Sequence, residues 1–182
     1  TLIVMLPFAF VSNAQNSKVG TTEINKASQP CVVAEYSLPA EMVEGALIKK
    51  FKDAKLGSGS KATDNFRVYK GVVIPEISKE KMDVYYKVED KKPTTMLYVL
   101  TSKGYDNFMK METDSLAVTN TMMYLDKFVK DATAFDLGDQ IEKNNDAIED
   151  IEKKSKKAAK EAESLAKDKT KVESKISKNT IE

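Results

Sequence analysis

The last quarter of the chain differs in composition from the rest. Residues 139–182 contain no aromatic side chain, and eleven Lys together with eleven Asp and Glu fill half of these 44 positions. A segment with so much charge and so few large apolar residues cannot bury a core of its own. This tail is therefore expected to be an extended helix rather than part of a globular domain.

Apolar residues of the tail recur in a seven-residue frame that begins at Ile141. A frame of this length predicts a coiled coil, although Asn144, Ser155, Lys169 and Asn179 interrupt its core positions. Three arrangements stay open: the tail pairs with a second copy or a partner, folds back on the domain, or stands alone as a frayed charged helix. The candidate coiled-coil core residues are Ile141, Ile148, Ile151, Ala158, Ala162, Leu165, Val172 and Ile176.

Residues 31–137 contain most of the large apolar residues and predict an α+β domain. The expected order is β-α-β-β-β-α, an antiparallel sheet of about four strands packed with two helices, followed by the long C-terminal helix. Alternation from Met82 to Val88 is typical of a half-buried strand. Residues 94–101 are apolar on both faces, so this strand is expected at the centre of the sheet.

Two amphipathic helices are expected in this domain. Pro39 suits the first helical position, where its missing N–H costs nothing, and apolar residues follow at spacings of three and four. The second helix is expected from about Asp114 to Phe135. At Gly138 two alternatives stay open: the glycine caps this helix and Asp139 begins another, or a single helix runs through.

The N-terminal residues indicate export. Residues 1–11 are apolar and uncharged, too few to span a bilayer but of the length of a signal-peptide core, and small residues follow. We expect residues 1–15 to be a signal peptide whose charged start is missing, and residues 16–30 to be a flexible linker. The expected location is secreted or periplasmic. Cys31 lies too far from the apolar run for a lipid anchor and is expected to pack as a small hydrophobe.

Composition excludes several classes of chemistry. The 182 residues include no His and one Cys, so His-based catalytic triads, His-ligated metals and an internal disulfide are excluded. The formal net charge is +1, which gives no basic footprint for nucleic acid. We assign no catalytic, cofactor-binding or metal-binding residue from the sequence. The best candidate for an exposed contact surface comprises Tyr85, Tyr98, Lys103, Tyr105 and Phe108.

These observations favour a non-enzymatic protein. The leading hypothesis is an exported envelope or periplasmic interaction or structural protein whose tail, residues 139–182, mediates self-association or binds a protein partner. The first alternative is a carrier of a small apolar ligand, with a pocket between sheet and helix. The second is a hydrolase that works with carboxylates alone, which would require two acids converging in a cleft with raised pKa values.

Overall fold

The computed structural model describes the backbone of residues 16–179 and the side chains of residues 16–177. The expected signal peptide, residues 1–15, lies outside the described residues. The fold is α+β, as predicted. Its elements are β1 (Ser17–Ile24), β2 (Ala27–Tyr36), α1 (Ala40–Asp53), β3 (Ser60–Lys61), β4 (Arg67–Ile74), β5 (Ser78–Lys91), β6 (Thr94–Ser102) and α2 (Met111–Asn179).

The strands form one antiparallel sheet in the order β1-β2-β6-β5-β4-β3. Strand β6 pairs with β2 on one side and β5 on the other, so that Leu97 lies between Ala34 and Val88. Leu97 and Leu100 are both almost fully buried although they point to opposite faces. The central position predicted for this strand is confirmed.

The expected number of about four strands was wrong, because the described residues form six. Residues 16–30, expected to be a flexible linker, form β1 and the start of β2. These strands pair in full register from Ser17 opposite Ala34 to Ile24 opposite Ala27. Asn25 and Lys26, both at positive φ, make the tight turn that this hairpin needs. Of the eight residues of the edge strand β1, three are buried, Ser17, Thr22 and Ile24, and two of these are themselves polar.

The start of β1 is bound to the second helix. Asp126 Oδ1 accepts hydrogen bonds from the backbone N–H groups of Asn16 and Ser17, at 3.1 and 3.0 Å. Ser17 Oγ donates to the Met122 carbonyl oxygen at 3.0 Å. These contacts explain why a short polar segment is ordered at this edge.

One face of the sheet packs on α1 and the first part of α2. The helices contribute buried side chains at the expected spacing, including Val43, Leu47 and Phe51 of α1. Tyr36 joins the layers, because its ring packs edge-on against Phe128 and its hydroxyl donates to the Leu125 carbonyl oxygen. The α1 helix begins at Ala40. Pro39, predicted to be the first helical residue, is instead the N-cap residue that precedes the helix.

The opposite face buries a second, smaller cluster: Ile24, Cys31, Val33, Phe66, Val68, Tyr85, Leu100 and Phe108. Loops rather than helices border it. The β1–β2 turn reaches the β3–β4 loop, since Asn25 N–H donates to Asp64 Oδ2 and Thr63 Oγ1 donates to Asn25 Oδ1. These bonds connect segments that belong to opposite edges of the sheet.

The chain divides into two compact units between Asp136 and Leu137. The first unit contains the sheet, α1 and the beginning of α2, together with all buried side chains of the described chain. The second begins at Leu137 and contains the tail, and every described side chain in it except that of Asp139 is exposed. Of the two alternatives at Gly138, the structure has helix through this residue.

Candidate functional site

The tail presents its apolar residues to solvent. Six of the predicted coiled-coil core residues are between 55% and 69% exposed: Ile141, Ile148, Ile151, Leu165, Val172 and Ile176. Ala158 and Ala162 are exposed as well. Because these eight side chains follow one another at spacings of three, four or seven residues, they form one apolar row along the helix, here called the tail row.

Intrahelical ion pairs support the tail helix. In each of four pairs, a lysine Nζ lies 2.6 to 2.8 Å from a carboxylate oxygen of the acidic residue four positions before it. These pairs are Asp139–Lys143, Glu149–Lys153, Asp150–Lys154 and Glu163–Lys167. This order of charges is the more favourable one in a helix, at about 0.3 to 0.5 kcal/mol for each pair. The ion pairs help to keep the helix formed while the tail row stays in water.

The five candidate contact residues do not share one environment. Tyr85 and Phe108 are buried in the second cluster, where their rings meet edge-on with centroids 5.5 Å apart. Tyr98 is half-buried beneath Lys87, whose ammonium lies 5.2 Å from the ring centroid. Tyr105 is fully exposed, on a loop where its backbone adopts positive φ. Of these four aromatic side chains, Tyr105 alone offers its whole ring to a partner.

Lys103 makes an ion pair at the start of α2. Its Nζ lies 2.5 Å from Asp114 Oδ1, and the Asp114 carboxylate also accepts from Thr113 Oγ1 and from the backbone N–H of Lys110. Asp114 departs from helical backbone geometry, with φ −131° and ψ 35°. The hydrogen bond from Lys103 is the main reason why the pKa of Asp114 falls from 3.8 to about 2.

A cleft of about 750 Å³ lies within the first unit, between α1, the β4–β5 turn and α2. The residues that line it were not predicted from the sequence. Its walls are mainly apolar and its rim is charged. The apolar walls include Ala46, Leu56, Val73, Ile74, Pro75 and Phe135, and the charged residues are Lys49, Lys50, Asp53, Glu76 and Asp131.

Lys50 is the central charged group of this rim. Its Nζ lies 2.6 Å from Asp131 Oδ2 and 5.2 Å from the centroid of the Tyr124 ring. Burial raises the pKa of the Tyr124 hydroxyl, and the negative charges of Glu76 and Asp131 raise it further. The hydroxyl therefore stays protonated and can donate a hydrogen bond.

A glycine shapes one wall of the cleft. A Cβ atom on Gly45 would come within 2.8 Å of the Phe135 ring, so the ring packs directly on the α1 backbone. Lys50 and Asp131 are 81 residues apart in sequence. Neither stands out from the many charged residues of the chain, and only the packing of α1 on α2 brings them together.

Two carboxyl groups, those of Glu89 and Asp114, have pKa values that are clearly shifted, and both values are lowered. The Lys87 ammonium is the main cause at Glu89, as Lys103 is at Asp114. A general acid requires the opposite shift. Among residues 16–179 there is no group of three or more His, Cys, Asp or Glu arranged to hold a metal ion. No helix in that range is both long and apolar enough to cross a membrane.

The similarity comparisons add no information about function. The chain matches no protein-family model, no curated protein and no solved structure.

Proposed function

We propose that this chain is a non-enzymatic interaction or structural protein, exported to the envelope or periplasm, whose tail assembles it with a second copy. The tail row carries this proposal. Five of its large side chains, Ile141, Ile148, Ile151, Leu165 and Val172, lie on one helix face and are each more than half exposed.

The energetic argument concerns these exposed side chains. Full burial of one Val, Leu or Ile side chain is worth about 1.5 to 3 kcal/mol relative to exposure. A helix that stands alone gains none of this and depends on propensity and ion pairs. Pairing two tails would bury the same face of both, and Ala and Ser at intervening positions would keep the affinity moderate.

Light scattering after size exclusion tests the proposal on the full chain. The decisive variant combines Ile148→Glu with Leu165→Glu, which places charge in the tail row. The matched control combines Ser164→Glu with Ser174→Glu, which adds the same charge on other faces of the same helix. We expect a dimer for the parent chain and the control, and a monomer for the tail-row variant. A monomeric parent at every concentration would overturn the proposal.

A second candidate function, carriage of a small apolar ligand, is favoured by the cleft between α1 and α2. Its volume and mainly apolar walls match those of small-molecule sites. The Lys50 ammonium at the rim would suit a ligand that has an apolar body and an anionic end.

The carrier hypothesis is tested by titration with a fluorescent fatty acid. Ala134→Phe would place a ring in the cleft, and Thr133→Phe adds the same ring at the neighbouring position, which does not line it. Binding by the parent chain and the control, with at least tenfold weaker binding by Ala134→Phe, would support the hypothesis. Absence of binding by the parent chain would contradict it.

A further inference from the structure

We infer that the two tails pair in antiparallel orientation, with Ile148 of one copy opposite Leu165 of the second copy. The inference rests on the proposed self-association and specifies its geometry. The two-fold axis then passes between Lys156 and Lys157. The tail row is exposed in the single chain, so both helices have this face available.

The antiparallel arrangement matches residues of like character across the core. Ile141 faces Val172 of the second copy, Ile148 faces Leu165, and Ile151 faces Ala162. Ser155 and Ala158 meet near the axis, where small side chains let the helices approach. Lys169, the one charged residue at these core positions, lies opposite Asn144 of the second copy, so that polar groups meet each other.

A parallel pair would be unfavourable in the same places. In register, it brings Lys169 against Lys169 of the second copy within the core, where the like charges would be partly desolvated. It also places Asp168 beside Glu173 of the second copy, at flanking positions that set orientation in coiled coils. No pair of opposite charge compensates at these flanking positions.

The flanking charges favour the antiparallel pair. Lys154 lies beside Glu161 of the second copy, and the two-fold axis repeats this contact. No flanking contact in this arrangement joins charges of the same sign. Both side chains are more than 60% exposed and make intrahelical pairs, Lys154 with Asp150 and Glu161 with Lys157, so they are free to reorient toward a second helix.

A shift of one heptad in either direction is less favourable. One shift places Lys169 opposite Ile151 of the second copy and brings Glu161 beside itself across the axis. The other places Lys169 opposite Leu137. The alignment in which Ile148 faces Leu165 is therefore the one that keeps the charge away from apolar partners.

Disulfide cross-linking of single-cysteine additions tests the orientation in the full chain. The native Cys31 is buried, and the parent chain controls for it. Ile148→Cys is mixed with Leu165→Cys carried on a chain of different mass. In the antiparallel pair, the cysteine at 148 of one chain lies about 26 Å from the cysteine at 148 of the second chain, too far for a disulfide, and the same holds for 165. A cysteine at 148 and a cysteine at 165 of the second chain face each other.

We expect cross-linked heterodimers from the mixture and none from either variant alone. A second pair, Ile141→Cys with Val172→Cys, should behave in the same way, and Ile148→Cys with Val172→Cys should not cross-link. Self-cross-linking of each variant alone would show a parallel pair and overturn the inference. A dimer by light scattering without the expected disulfides would overturn the alignment while leaving self-association intact. A monomer would overturn both.

Discussion

Lys50 Nζ lies 2.6 Å from Asp131 Oδ2, and this ion pair joins the last turn of α1 to α2 across the mouth of the cleft. The same ammonium lies over the Tyr124 ring, so one side chain makes two different contacts with α2. Lys49 next to it makes an ion pair within α1, with Asp53. The two neighbouring lysines therefore provide a matched comparison.

We predict that Lys50→Met lowers the free energy of unfolding by about 1 kcal/mol, because it removes both the ion pair and the cation–π contact. Lys49→Met should cost no more than about 0.5 kcal/mol, since its pair is exposed and intrahelical. Urea unfolding followed by tyrosine fluorescence measures both variants. Equal effects of the two substitutions would show that the contact between helices contributes nothing.

The buried tyrosines make a second comparison possible. Tyr36 donates a hydrogen bond to Leu125, whereas the buried hydroxyls of Tyr69 and Tyr86 have no hydrogen-bond partner among the described residues. Tyr36→Phe should therefore cost about 1 kcal/mol of unfolding free energy, and Tyr86→Phe should be neutral or stabilising. Chemical denaturation of the two variants checks the difference, and a larger loss for Tyr86→Phe would contradict it.

Acid stability should depend on Asp114. The pKa of this carboxyl is lowered in the folded protein to about 2, so its contribution to stability is full above pH 4 and is lost as the pH falls toward 2. Asp114→Asn should reduce the slope of unfolding free energy against pH in that window. Lys103→Met should do the same, because it removes the main cause of the shift. An unchanged slope in both variants would show that this ion pair does not cause the pH dependence of the unfolding free energy.

Cys31 should be unreactive in the folded protein. Burial raises the pKa of its thiol from 9.0 to about 12, which reduces the thiolate fraction at pH 8 by about a thousandfold. We expect thiol reagents to label the chain only after denaturant is added. Rapid labelling under native conditions would show that the second cluster opens.

Charge exchange tests the contact between Lys154 and Glu161 of a second copy. Lys154→Glu and Glu161→Lys should each weaken dimerisation by about two- to fivefold, because each creates two like-charge contacts. The double exchange should restore it. Sedimentation at several concentrations measures the dissociation constants, and failure of the double variant to recover would indicate another alignment.

The sequence predicted the elements that bury a regular apolar pattern. The alternation from Met82 to Val88 and the spacing of Val43, Leu47 and Phe51 correspond to β5 and α1. Strand β1 was not predicted, because an edge strand is held mainly by backbone hydrogen bonds. Its small polar side chains show no apolar pattern from which those bonds could be inferred. The tail is helical, as expected, and its coiled coil stays a prediction.

The candidate sites were harder to predict than the fold. Adjacent residues Tyr85 and Tyr86 necessarily point to opposite faces of β5, but the sequence did not show that loops would cover the Tyr85 side. Phe108 was expected at the surface and instead packs on Tyr85. A pocket between sheet and helix was one alternative from the sequence, but the residues that line the cleft could not be predicted, because its position depends on where α1, α2 and the β4–β5 turn meet.

The hydrogen bonds from the backbone N–H groups of Asn16 and Ser17 to Asp126 hold the start of β1 against α2. Asn16, the first described residue, therefore lies beside the middle of the α2 segment that covers the sheet. If a peptidase cuts between Gln15 and Asn16, the new α-ammonium group forms next to the Asp126 carboxylate. Processing would then replace a neutral hydrogen-bond donor with a positively charged one and strengthen the attachment of β1 to the helix.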